Sequence, residues 1–420
     1  MTGKTDGRRR VVVTGLGAVT PLALAVRASW EAALAGRSGV SLIEQMDASG
    51  FTSRLAGEVT GFDPTTVLPK REVRRMDRFA QLGLAAADEA IKDSGLDLDS
   101  EDRTRAGALI GSGIGGIAEI EAQMTRFLEK GPGQVSPFLI MKMMPNAAGA
   151  LAAIRWGLKG PNFSVSSACA SGAHALGEAL RMIRFGGADV MLAGGSEAPI
   201  TFLGLGGFCS MKALSTRNDA PKAASRPFDR DRDGFVIAEG AGVVVLEELE
   251  RARRRGAKIY AEFAGYGATD DAYHMTAPDA EGAGAAAAMR LALADARLAP
   301  ADVDYVNAHG TSTKYNDRTE TAAIKAALGE TDARRVAVSS TKSMTGHTLG
   351  ASGAIEFILT ALAVQEGAVP PTINYTTLDP ECDLDYVPKE ARRIEVRAAL
   401  SNSLGFGGHN ASLALTRFTG

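Results

Sequence analysis

Short runs of apolar residues, without polar alternation and ending at small residues, recur along this chain. "VVVTGLGAVT" (11–20), "RAGALIGSGIGG" (105–116), "ADVMLAGGSEA" (188–198) and "YVNAHGTST" (305–313) all have this form. A strand that is apolar on both sides must be covered on both sides, which requires a sheet between helical layers. Segments of helical spacing separate the runs. They include "AVRASWEAALAG" (25–36), "MDRFAQLGLAAADEAIKDSG" (76–95) with Asp77 as its N-terminal cap, and "SGAHALGEALRMIRFGG" (171–187). The class is therefore α/β.

Two further segments carry weaker signals. "GFVIAEGAGVVVLEEL" (234–249) reads as two strands meeting at a glycine turn, and "FSVSSAC" (163–169) as one strand. Residues 210–233 lack periodicity and read as a long surface or interface loop, and residues 1–10 as a polar, frayed tail.

With 420 residues the chain is long enough for two domains or one duplicated one. An internal likeness favours duplication. Residues 86–113 and 292–313 share an order: Ala-rich helix, acidic turn, strand, small-residue loop. The expected division is a tail at 1–10, one half at 11–260 and a second at 261–420, with chemistry between the halves.

Several function classes drop out. A formal net charge of −3 gives no support for nucleic-acid binding or a membrane-surface role. No run suggests a transmembrane helix or a signal peptide. Three widely spaced cysteines make neither a disulfide framework nor a zinc site, and fit a reducing cytoplasm. "GSGIGG" lacks the spacing and acidic partner of a dinucleotide loop.

Chemistry concentrates at strand ends, where open α/β sheets gather ligands. Cys169 lies between two alanines where a strand gives way to a helix. A helix start favours thiolate, and small neighbours let a carbonyl reach both sulfur and backbone amides. His309 ends a second strand. Lys342 and His347 lie in the polar loop "SSTKSMTGHTLG" (339–350). Imidazoles there can move protons. Cys209 and Cys382 read as structural, His174 as helix packing and His274 as a loop residue.

In the same order, "VVVTGLGAVTP", "SSACASG", "LSTRND", "SRPFDRDRDGFV", "VNAHGTST", "STKSMTGH" and "NSLGFGGHN" occur along nearly the whole chain. In these motifs the chain resembles the elongating β-ketoacyl-acyl carrier protein synthases of dissociated (type II) fatty acid synthesis. The resemblance implies a thiolase-like five-layer α-β-α-β-α sandwich of two similar halves, normally a homodimer, and a decarboxylative Claisen condensation. By motif position it makes Cys169 the nucleophile, His309 and His347 the catalytic histidines and Lys342 their support. Asp317 and Glu320 would orient this network, with a bridge from Lys342 toward Glu320. Phe406 would be a gate whose amide joins that of Cys169 in an oxyanion hole.

The resemblance further implies that Thr311 and Thr313 bind phosphopantetheine, and that Ile114 and Phe208 line an acyl pocket at the dimer interface. Arg71, Arg74, Arg75 and Lys212 would dock an acidic acyl carrier protein. No cofactor is required beyond the phosphopantetheine brought by the carrier. A structural monovalent cation would sit near Asn307, Glu356 and Asn402. Leu404 stands where many relatives carry phenylalanine, and His409 where some carry threonine. A ketosynthase subunit of an iterative polyketide pathway uses the same motifs and is the alternative. The intact Cys169, His309 and His347 speak against a non-catalytic chain-length factor, and the second histidine and lysine against a cysteine hydrolase.

Overall fold

The computed structural model describes residues 7–420. Ten strands make the main sheet system: β1 (Val11–Val19), β2 (Ala106–Gly111), β3 (Asn162–Phe163), β4 (Val190–Glu197), β5 (Gly240–Glu248), β6 (Ala261–Asp270), β7 (Tyr305–Asn307), β8 (Ala337–Ser339), β9 (Ala398–Gly405) and β10 (His409–Thr416). Their order is β8-β7-β9-β10-β6-β1-β5-β4-β2-β3. Read outward from the middle, β1-β5-β4-β2-β3 and β6-β10-β9-β7-β8 are the same arrangement. The two five-stranded sheets touch through a short antiparallel pairing, Val12 opposite Glu262 and Val13 opposite Ala261.

Six helices complete the layers: α1 (Arg78–Ser94), α2 (Ala147–Trp156), α3 (Ser171–Arg184), α4 (Ala283–Ala296), α5 (Lys314–Leu328) and α6 (Ser352–Glu366). Helices α1 and α2 cover the outside of the first sheet, α4 covers the second, and α5 lies beside α4. Helices α3 and α6 each touch strands of both sheets and form the middle layer. The result is the five-layer sandwich that the resemblance implies.

The duplication extends to atomic packing. Gly15 and Gly17 of β1 leave no space for a side chain, because a Cβ would lie 2.2 Å from the Ala90 carbonyl and 1.9 Å from that of Ala86 on α1. Gly265 and Gly267 of β6 stand in the same relation to α4, at 2.3 Å from the Ala292 carbonyl and 2.0 Å from that of Ala288. Glycine on the strand and alanine on the helix let each pair approach closely, which explains why both residue types are abundant.

The Asp77 cap on α1 is present, its carboxylate accepting from the Phe79 amide at 3.2 Å. Helix α6, with the turn before it, is apolar enough by length and composition to cross a membrane, yet it is buried between the sheets along nearly its whole length. Its apolarity is that of a core helix covered on both sides.

Four expectations change. Residues 234–249 are not a strand pair: only 240–248 is a strand, while Ile237 makes a parallel bridge to His347. The strand expected over 163–169 stops at Phe163, and the chain then turns irregularly toward Cys169. The loop at 210–233 is not mainly surface, since Leu214, Ser215, Ala224, Ser225, Phe228, Asp229 and Arg232 are buried. Arg226–Asp229 and Arg232–Asp379 ion pairs let this polar segment enter the core. Of the expected tail, residues 1–6 lie outside the described residues; Arg8, Arg9 and Arg10 are ion-paired to Asp295, Asp189 and Glu262.

Candidate active site

Cys169 sits on a strained elbow. Ala168 before it has φ +49°, a left-handed conformation costing an L-residue roughly 1–2 kcal/mol. The elbow is held by Ser171, whose hydroxyl donates to the Ala168 carbonyl at 2.7 Å and accepts the Ser167 amide at 2.9 Å. Helix α3 begins immediately afterwards.

The second half supplies two imidazoles and a lysine. Beyond β7, the His309 and Gly310 amides each donate to the Glu320 carboxylate of α5 at 2.7 Å. The His347 backbone is gripped on both sides, its amide donating to the Val236 carbonyl at 2.7 Å and its carbonyl accepting the Ala238 amide at 2.9 Å. Its Nδ1 lies 3.0 Å from the Ser352 hydroxyl, which leaves Nε2 as the working nitrogen. The two imidazoles stand edge to face with centroids 5.3 Å apart. Phe235 packs against His347 at 5.2 Å, and Phe208 against Phe235 at 5.3 Å.

Lys342 is buried on a single helical turn rather than in an open loop. It donates to the His309 carbonyl at 2.7 Å and forms an ion pair with Glu356 of α6. The expected bridge to Glu320 is replaced by one to Glu356, while the Glu320 oxygens accept the His309 and Gly310 amides and the Asn402 side-chain amide. Asp317 lies one layer further out. It accepts the Phe228 amide at 2.7 Å and lies 3.6 Å from the Arg232 guanidinium, so it braces the 226–232 segment, not the lysine.

Burial dominates the electrostatics. It pushes the Cys169 thiol up to about 12, against the pull of the Lys342 ammonium and the Phe406 amide. Desolvation of the thiolate thus opposes the stabilisation that a helix start offers. Burial, joined by Lys342, holds both imidazoles well below their ordinary range, and His347 lowers His309 further. Both are neutral, so each can accept one proton or donate an N–H. Glu356 is raised to about 7 by burial, with Lys342 opposing.

A cavity of about 380 Å³ joins these groups, lined by Cys169, His309, His347, Thr311, Thr313, Phe208, Lys212 and Phe406 among others. The Thr311 and Thr313 hydroxyls are 3.0 Å apart on its wall. Phe406 occupies the turn between β9 and β10, closed by the Gly405–His409 pair. Ile114 is not on the cavity wall but packs in one apolar cluster with Cys169 and Phe208. Lys212 is exposed at the cavity. Arg71, Arg74 and Arg75 are exposed on and after the short helix Lys70–Val73, and Arg75 stacks over Phe138 at 5.3 Å. Among the described residues, the buried Asn307 Oδ1 and Glu356 Oε2 atoms have no hydrogen-bond partners, whereas Asn402 Oδ1 accepts from Ser412 at 2.9 Å.

Sequence reasoning missed Phe235, the pairing role of Glu356, and Glu197. Each acid carried a signal: one charged residue in an otherwise apolar buried run, "GAIEFILTAL" and "VMLAGGSEA".

Residues 8–252 match the family model "Beta-ketoacyl synthase, N-terminal domain", and residues 260–376 match "Beta-ketoacyl synthase, C-terminal domain". The chain is 52% identical to a 3-oxoacyl-[acyl-carrier-protein] synthase 2 of Synechocystis sp. and 50% identical to that of Vibrio harveyi, each over 98% of this chain and 99% of the relative. Among solved structures, a β-ketoacyl synthase from Burkholderia phymatum superposes with TM-score 0.91 at 40% identity, covering 98% of this chain and all of that one. A type II polyketide ketosynthase, solved with its acyl-carrier protein and bound to a hexaketide, gives TM-score 0.91 at 39% identity over the same shares. With its duplicated fold, elbow cysteine and paired imidazoles, the chain belongs to the β-ketoacyl synthase family.

Proposed function

We propose that this protein is an elongating 3-oxoacyl-[acyl-carrier-protein] synthase of fatty acid biosynthesis, working in the cytoplasm as a homodimer. The observation that carries the reading is the shared cavity. It brings the Cys169 sulfur of the 11–260 half together with the His309 and His347 imidazoles of the 261–420 half.

The sulfur attacks the acyl thioester of a loaded carrier while a neutral imidazole takes its proton. The oxyanion lies between the Cys169 and Phe406 amides, and its collapse releases the carrier thiol. A malonyl thioester then loses carbon dioxide, and charge builds on its thioester oxygen. N–H donation from His309 and His347 stabilises that enolate; one such donor is worth about 3 kcal/mol. The carbanion attacks the acyl-cysteine, forms the new carbon–carbon bond and frees Cys169.

Thr311 and Thr313 hold the phosphopantetheine arm, Ile114 and Phe208 shape the acyl chain's path, and Phe406 gates the second substrate. Arg71, Arg74, Arg75 and Lys212 receive the acidic carrier. Lys342 keeps His309 in place through its carbonyl, with Glu320 fixing the adjoining amides. The reaction needs no cofactor beyond the carrier's phosphopantetheine. The unpartnered oxygens of Asn307 and Glu356 fit a monovalent cation, which would neutralise buried negative charge there.

Supporting the homodimer, edge strand β3 is exposed, Ile154 is exposed on helix α2 that packs beside it, and Phe127, Leu128, Ile140, Met141, Phe202 and Leu203 are exposed on helices linked to α2 by successive contacts. A second copy would cover this face and extend the sheet. Phe163→Asp should lower the mass measured by sedimentation from two chains to one.

The reading is tested by mass spectrometry with acyl carriers of several lengths, followed by malonyl carrier. The expected product is a 3-oxoacyl carrier two carbons longer than the donor, with the acyl intermediate on Cys169. Release of free acid alone would overturn it. A product extended repeatedly without reduction would instead support the polyketide ketosynthase alternative, which the polyketide structural neighbour favours.

A further inference from the structure

The reacting groups come from different halves of a duplicated fold, so something must fix their separation. Glu197 is a buried acid that the proposed mechanism does not use and that bonds to both halves beside the reacting groups. It ends β4 and is fully buried. One carboxylate oxygen accepts the Ser112 hydroxyl at 2.6 Å and the Ile114 amide at 3.2 Å. The other accepts the Gly113 amide at 2.7 Å and the Gly350 amide at 3.0 Å. Ser112–Ile114 belongs to the first half and Gly350 to the second, three residues after His347.

The surroundings leave little slack. A Cβ at Gly113 would lie 2.9 Å from the Glu197 carboxylate and 3.1 Å from the Ala168 carbonyl, on the elbow that presents Cys169. A Cβ at Gly350 would lie 2.5 Å from the same carboxylate. Elbow, Ser112–Ile114 turn and histidine turn are thus packed around one pair of oxygens. Four donors and no acceptor face the side chain, which suits a carboxylate and not an amide.

We infer that Glu197 is a positioning residue for condensation, a strut that registers the Cys169 elbow and the Ser112–Ile114 turn against the His347 turn. This rests on the proposed function of the site. A displacement of about 1 Å between reacting groups costs on the order of 100-fold in rate. Glu197→Gln places an NH₂ group against amide donors, so at least one side of the strut must open.

The test uses the full-length protein and two variants. With Glu197→Gln, kcat for condensation should fall about 100-fold while KM for the acyl carrier changes less than threefold. A second readout is the pH profile of Cys169 alkylation by iodoacetamide. The charged and titratable groups around that thiol are Lys342, His309, His347 and Glu197. Glu197 opposes thiol ionisation, so its neutral replacement should move the profile to lower pH.

Gly350→Ala should reproduce the loss in kcat through a methyl pressed on both the carboxylate and the Gly113 backbone it holds, while leaving the alkylation profile in place because the charge remains. It also keeps the inference testable if Glu197→Gln does not fold. A kcat within twofold of the parent in either variant would overturn the inference. So would a Glu197→Gln enzyme with reduced kcat and an unmoved alkylation profile, since general loosening alone would do that. If the parent enzyme itself makes no 3-oxoacyl product, the proposed function fails, and the Glu197→Gln alkylation profile still shows whether this carboxylate bears on the Cys169 thiol.

Discussion

Cys169→Ala should abolish condensation, leaving a folded protein that carries no acyl group after incubation with a loaded carrier. Removing a catalytic nucleophile costs on the order of 10⁶-fold in kcat in comparable enzymes. The side chain is small, so alanine vacates little volume, and the Ala168 conformation is held by Ser171 rather than by the sulfur. The Cys209 and Cys382 thiols do not substitute, since neither lines the cavity. Release of carbon dioxide from malonyl carrier should persist, because that step uses His309 and His347. Retained elongation, or an acyl group found on Cys209, would sink the assignment.

Lys342→Ala should have the second-largest effect, and it should reach stability as well as rate. The ion pair with Glu356 is almost wholly buried, and removing one member of such a pair costs about 3–5 kcal/mol. The acid left behind already sits at about 7 because of burial, and Lys342 is what holds it down. Without the lysine it rises further and takes up a proton in the folded state. A carboxyl raised by folding contributes stability at low pH that is lost as pH climbs through its folded-state value. The variant should therefore lose melting temperature most above neutrality and recover part of it in mild acid. Single-turnover assays should show decarboxylation impaired more than acyl transfer to Cys169, since the lysine's other partner is the His309 carbonyl. Lys342→Met combined with Glu356→Gln should restore stability without restoring decarboxylation. Equal loss in both half-reactions would count against the histidine-supporting role.

What the sequence disclosed and what it hid follow from range. Helix α1, its Asp77 cap, β1, β2 and β4 are visible because apolar periodicity and capping are local. The likeness of residues 86–113 to 292–313 reflects the pair α1–β2 and its counterpart α4–β7. Cys169, His309, His347 and Lys342 are legible as residues at strand and loop ends, and family resemblance supplied their proposed roles. The partners of Lys342 were not legible. Glu320 and Glu356 are both acidic, and only folding shows that two amides occupy one of them while the other crosses from the middle layer. The thiol's environment was likewise out of reach, because a helix start is local whereas the burial that opposes ionisation is set by the whole fold. The 210–233 segment looks like surface by composition, yet its arginines and aspartates neutralise one another inside the protein.

Helix α6 has a consequence for biogenesis. Its apolar length is synthesised before β9 and β10, the strands that cover part of it in the folded protein. During that interval the nascent chain displays a segment with the length and composition of a bilayer-crossing helix. Chaperone capture, or rapid sheltering against the finished first half, is what keeps the newborn polypeptide from sticking to lipid or to its neighbours.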